Sequence, residues 1–234
     1  MADVKTLSYD EAMFRIKICG VTTVDDALDA AAAGADAIGL NFYAQSKRYV
    51  PVDAVRPISL SMPAAVTRVG LFVNATADDI TTIVEQVELD CVQLHGDEPP
   101  ELIADLPRRV SVVRAYRCGE EGLAPLGSYL AACRAQGRLP DAVLIDADAP
   151  GEFGGSGRVA DWALIARERE LVGDRPLILA GGLSAANVAR AIEVVRPDGV
   201  DVTSGVEREP GHKDAALVTQ FVAAAREAFA KLQS

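Results

Sequence analysis

No apolar stretch in the chain approaches the ~20 residues that a membrane-spanning helix needs. Residues 1–14, MADVKTLSYDEAMF, carry Asp3, Asp10 and Glu11 and no apolar segment, so they do not read as a secretory signal. Histidine is scarce, with only His95 and His212, and the four cysteines (Cys19, Cys91, Cys118 and Cys133) form no C-x-x-C pair. Without ligand spacing, neither a structural zinc site nor another bound metal is expected. The expected setting is cytoplasmic, where disulfides do not persist. Positive charge is also in deficit: 23 basic residues face 34 acidic ones, a net charge of −11. That field repels nucleic acid and anionic membranes, so neither is expected as a partner. A small anion would need a local site built from a few cations or helix N-termini.

What is present is apolar. Half of the residues are hydrophobic and mean hydropathy is +0.15, enough for a sizeable core. Eight short apolar runs recur along the chain: RIKIC, DAIGLNF, TRVGLFV, DCVQLH, SVVRAY, DAVLID, PLILA and GVDVT. A turn and then a helical pattern follow each, at the length of a βα unit. Val24, Ala27, Leu28 and Ala31 repeat at helical spacing, as do Val188, Ala191, Ile192 and Val195 behind Ser184, a candidate N-cap. Leu217, Phe221, Ala224, Ala225 and Ala228 mark the last helix, and another is expected over 52–61. Strict alternation implies a parallel sheet. Eight units in 234 residues fit a closed (β/α)8 barrel of one domain, over 15–234, with residues 1–14 as an extension before it. An open doubly wound sheet would call for G-x-G-x-x-G after the first strand; CGVTTVDD is not that motif.

Alternation also sorts side chains between the helix-covered outer face and the barrel interior. It sends Lys17 and Cys19 of strand 1 inward, with Gly39 and Asn41 of strand 2. From strands 3 and 4 it sends in Gly70, Phe72 and Asn74, and Cys91, Gln93 and His95. Arg114, Asp146, Asp201 and Thr203 come from strands 5, 6 and 8. This set is polar for a core, and unpaired buried charges cost several kcal/mol each. The lower charges are expected to pair, Lys17 with Asp201, while the strand tips do chemistry. Gly181-Gly182 after strand 7 and Ser204-Gly205 after strand 8 stand where barrel enzymes bind phosphate. Glycine lets backbone N–H groups approach an anion closely. A third cluster, GEFGGSG at 151–157, is expected to be a lid beside Asp146.

Together KICGVTTVDDAL, GADAIGLNFYAQSKRYV, RVGLFVN, VQLHGDE, LID…GGSG…DW, GGLSAANV and VDVTSGVE…G-KD resemble phosphoribosylanthranilate isomerases. That resemblance runs from about residue 15 to the C-terminus and departs in the leader, a long fifth connection and the loop after Asp146. It implies an Amadori rearrangement in tryptophan biosynthesis, on a phosphorylated small molecule, with no metal or organic cofactor. It assigns Cys19 as general base, Asp146 as general acid and Arg48 as the grip on the anthranilate carboxylate, in a monomer or homodimer. His95 receives no catalytic role and is expected to line or orient. Taken alone, Cys19 reads more readily as core filler, Asp146 evenly as structural partner or acid, and Arg48 as one loop cation among many. Two other readings are a related barrel lyase of an indole- or anthranilate-linked sugar phosphate and a non-catalytic phospholigand-binding module. The lyase would need a catalytic lysine, and Lys17 is the only inward one on a strand.

Overall fold

The computed structural model describes residues 13–147 and 161–232. Eight parallel strands close into a barrel in chain order: β1 (Ile16–Cys19), β2 (Ala37–Asn41), β3 (Thr67–Phe72), β4 (Cys91–Leu94), β5 (Ser111–Cys118), β6 (Ala142–Ala147), β7 (Leu177–Leu179) and β8 (Gly199–Val202). Between them run α1 (Val24–Ala33), α2 (Val52–Ser61), α3 (Ala77–Gln86), α4 (Pro100–Asp105), α5 (Ala124–Ala135), α6 (Trp162–Arg167) and α7 (Val188–Val195). After β8 come a 3₁₀ turn (Ser204–Val206), an antiparallel hairpin of β9 (Glu207–Glu209) and β10 (His212–Lys213), and α8 (Ala215–Leu232). The expected (β/α)8 barrel is the observed architecture.

Local chemistry sets the helix ends. Thr23 accepts from the Asp26 amide at 3.1 Å and starts α1; Gly34, at φ 94°, ends it in the left-handed region. Thr76 starts α3 in the same way, and α2 spans 52–61 with Pro57 inside it. α7 begins later than Ser184 suggests. Its N-terminal boundary is Asn187, and Ser184 contributes its carbonyl, which accepts from the Asn187 and Val188 amides at 3.2 and 3.0 Å. The Asn187 side chain is occupied in the preceding turn, where it accepts from Ser184 N and donates to Gly182 O.

Two apolar layers result. Ile16, Ile18, Ile38, Leu40, Val92, Leu94 and Val200 pack outward against the helices, which offer stripes such as Val188, Ala191, Ile192 and Val195. Each such aliphatic side chain contributes about 1.5–3 kcal/mol by burial. Inside the barrel a smaller cluster holds Phe14, Ala37, Val69, Cys91, Val113, Ala115, Leu144 and Ile178. Phe14, placed by sequence in the segment before the barrel, is thus buried in its floor at 3 % exposure.

Two strands depart from the expected facing. In β3 the inward residues are Val69, in the interior cluster, and Leu71, in the wall of the upper cleft. Phe72 packs in the helix layer, stacked on Phe42 at 5.1 Å. Gly70 also faces that way: a Cβ there would lie 2.4 Å from Leu89 Cδ1. Asn74 lies beyond the strand in the left-handed region (φ 54°) and accepts from the Asp97 amide. Apolar residues stand on both parities of TRVGLFV, Val69 and Leu71 on one and Phe72 on the other, so alternation does not separate the faces there. In β5, Val113 and Ala115 face in, and Arg114 faces the helices. Its guanidinium donates to Glu98 at 2.7 Å and to the Leu94 and Gly96 carbonyls, and lies 4.9 Å from the Tyr129 ring centre. These partners satisfy the charge outside the barrel.

Phe72→Ala is therefore expected to destabilise the fold by about 3–5 kcal/mol in urea denaturation. KM should stay within twofold, because the side chain does not reach the cleft; a KM effect without loss of stability would place Phe72 inside.

Candidate active site

At the C-terminal ends of the strands lies an open cleft. Its wall includes Cys19, Asn41, Arg48, His95, Asp146, Gly181, Gly182 and Ser204. Six of the seven residues singled out by sequence therefore meet on one cavity. Gly205, the seventh, stands behind the wall: a Cβ there would fall 1.9 Å from the Leu183 carbonyl oxygen, so its bare backbone lets the loops after β7 and β8 touch. Residues 151–157, the expected lid, fall outside the described residues.

Cys19 ends β1 at 4 % exposure and Asp146 stands near the end of β6 at 6 %. β7 and β8 separate their strands on one side and four strands on the other. His95 follows β4, its Nε2 3.4 Å from Asp146 Oδ2 and its Nδ1 2.8 Å from Gln93 Nε2. It is a wall residue oriented by Gln93, as its inward position implies. On the third side, Gly181 and Gly182 adopt φ of 85° and 62°, the left-handed region that side chains disfavour. That geometry leaves the backbone of the β7 loop open beside Ser204.

The last wall is ionic. Arg48 donates from Nε and Nη2 to the two oxygens of Glu207, at 2.9 and 2.7 Å. Among the described residues Nη1 has no hydrogen-bond partner. Lys213, buried, donates to Glu207 at 2.9 Å and to the Thr203 carbonyl at 3.2 Å. Burial would raise the Glu207 carboxyl, but Arg48 and Lys213 hold it below the usual carboxylate range. Burial also pushes the Lys213 ammonium below its ordinary value, against the pull of Glu207. Beneath the cleft, Lys17 is fully enclosed and donates to Asp201 at 2.7 Å, the expected pair. Glu207 and Lys213 were absent from the sequence-derived site. Both stand in the family-like segment VDVTSGVE…G-KD, which was their available signal; nothing in the sequence joins residue 207 to residue 48.

Residues 16–224 match the family model of N-(5'phosphoribosyl)anthranilate (PRA) isomerase. The chain belongs to this family. An N-(5'-phosphoribosyl)anthranilate isomerase of Acidithiobacillus ferrooxidans is 47 % identical over 214 residues, covering 92 % of this chain and 98 % of its own. One from Thermotoga maritima is 42 % identical over 210 residues, covering 90 % and 97 %. The crystal structure of phosphoribosyl anthranilate isomerase from T. maritima superposes with a TM-score of 0.81 at 39 % identity, covering 92 % of this chain and all (100 %) of the other. A crystal structure of a phosphoribosyl anthranilate isomerase in complex with reduced 1-(o-carboxyphenylamino)-1-deoxyribulose 5-phosphate superposes at 0.78 with 38 % identity, with the same 92 % and 100 % coverage. Among the described residues of this family member, no helix is long and apolar enough to cross a membrane.

Glu207 gives a pH test. A carboxyl depressed by folding contributes stability that is present above its ordinary value of 4.5 and is lost as pH falls through the lower folded value. Thermal melts from about pH 6 to about pH 3 should fall more steeply for the wild type than for Glu207→Gln. Parallel curves would show that the pair adds no pH-dependent stability.

Proposed function

We infer that the chain converts N-(5-phosphoribosyl)anthranilate to 1-(2-carboxyphenylamino)-1-deoxyribulose 5-phosphate, the Amadori step of tryptophan biosynthesis. The observation that carries this reading is the convergence of Cys19, Asp146, Arg48 and the Gly181-Gly182 and Ser204 turns on one cleft, in a chain of the PRA isomerase family.

Each group has a task in that reaction. Asp146, as general acid, gives its proton to the furanose ring oxygen, and the C1′–O bond breaks to a cationic Schiff base. The imine makes C2′–H acidic. Cys19, as thiolate base, takes that proton to give an enolamine, which tautomerises to the ketone by protonation at C1′. The cationic imine is itself the electron sink, so the chemistry asks for no metal or organic cofactor. Substrate phosphate fits against the open backbone of Gly181, Gly182 and Ser204, with Gly205 holding the two loops together. Arg48 takes the anthranilate carboxylate through the guanidinium edge that Glu207 leaves unused. Glu207 holds the fork in place, and Lys213 keeps that carboxylate ionised.

The lyase reading loses support from Lys17. It is enclosed at 0 % exposure and bound to Asp201, below the cleft rather than presented to it. The isomerase from T. maritima is described as dimeric, which favours the homodimer for this chain over the monomer.

The direct assay is loss of phosphoribosylanthranilate fluorescence with pure protein and no added metal; decay at only the background rate would reject the isomerase. Cys19→Ala and Asp146→Asn should each lower kcat by roughly 10²–10⁴ while substrate still binds, because each removes a proton-transfer group. Arg48→Ala should act mainly on KM. Near-wild-type kcat in Cys19→Ala would overturn the base assignment.

A further inference from the structure

A thiol serves as a base only as thiolate, and a free cysteine ionises near pH 8.5. A cation held beside the sulfur would favour the anion. Cys19 and Lys17 are two residues apart on β1 and face the same way, with Gly39 in register beside Cys19 and Ala37 beside Lys17. Gly39 has no side chain to part them. An atom placed where its Cβ would be lies 2.7 Å from Cys19 Sγ and 3.1 Å from Lys17 Nζ, so sulfur and ammonium flank one empty point. Asp201 Oδ1 anchors the far side of the ammonium at 2.7 Å. Lys17 has no exposure, so water does not screen it. Burial works against its charge, but Asp201 and Cys19 outweigh it and hold Lys17 above the ordinary lysine value.

Other charges face the same sulfur. Arg48 and Lys213 approach from the loops above, each bound to Glu207, whose carboxylate offsets part of their charge. His95 and Asp146 look across the cleft; Asn41 and Thr203 flank it from β2 and the end of β8. Lys17 alone reaches Cys19 from beneath, on its own strand. We propose that Lys17 is a positioning residue: its ammonium, anchored by Asp201, is the counter-cation that keeps Cys19 ionised. The proposal rests on Cys19 acting as the base.

The test reads ionisation without turnover. The rate of iodoacetamide alkylation at Cys19, followed by mass spectrometry across pH, gives the thiol midpoint. Lys17→Met should raise that midpoint by about one unit or more, a tenfold loss of thiolate at neutral pH. kcat near pH 7 should fall about tenfold and recover as pH rises, with KM within twofold. Lys17→Met leaves a buried carboxylate unpaired and can fail to fold. The double variant Lys17→Met/Asp201→Asn leaves no such charge and should raise the midpoint in the same direction. An unchanged or lowered midpoint in a folded variant overturns the proposal, whatever the activity. Wild-type kcat in Cys19→Ala would instead remove the base role and leave the alkylation result to stand by itself.

Discussion

Lys17 sits at the seam where β1 meets β8, with its ammonium wholly enclosed and Asp201 opposite it in register. Taking an ammonium out of water costs several kcal/mol, and removing one partner of such a pair typically destabilises by about 3–5 kcal/mol. The barrel accepts this charge only because closure brings residue 201 beside residue 17. That seam also fixes Cys19, the next inward residue on β1, at the mouth. The apolar floor beneath, with Phe14, Val69, Val113 and Ile178, gives the pair its dry surroundings.

The chain carries a net charge of −11 and still builds a cleft for a substrate with two anionic groups, a carboxylate and a phosphate. It does so with a handful of local charges. Lys17, Arg48 and Lys213 gather around Cys19, opposed there by Asp201 and Glu207. Each cation is pinned by a carboxylate, which costs attraction but fixes direction. Arg48 shows the exchange most plainly: Glu207 takes one donor each from Nε and Nη2 and sets the plane of the remaining donors. The proposed phosphate contacts come from backbone, where Gly181 and Gly182 stand in the left-handed region and carry no side chain.

Much of this was legible along the chain. Alternation placed the inward residues of β1, β2, β4 and β8, because in those strands apolar residues take turns with polar ones or glycine, and in β6 the single charge, Asp146, marked the inward parity. It failed in β3, where Val69, Gly70, Leu71 and Phe72 look alike to a hydropathy pattern. It also failed in β5, where Arg114 was assigned to the interior because it is charged. Its partners Glu98 and Tyr129 come from a loop and from α5, and no spacing rule links them. Ser184 looked like a helix cap, but Asn187 holds the glycine turn together and the helix starts behind it.

The sequence by itself determined the strand–helix count, the closed barrel, the family and the residues at the strand tips, since each depends on local periodicity or on motifs within a few residues. It also paired Lys17 with Asp201, because two inward charges in a closed barrel have few other partners. Only the tertiary structure joined Arg48 to Glu207 and Lys213 across 159 residues of chain. It alone turned Phe72 and Arg114 outward and set Lys17 against the sulfur of Cys19 through the gap at Gly39. Those contacts depend on how strands register and loops fold back, and that is settled by packing and charge balance in three dimensions.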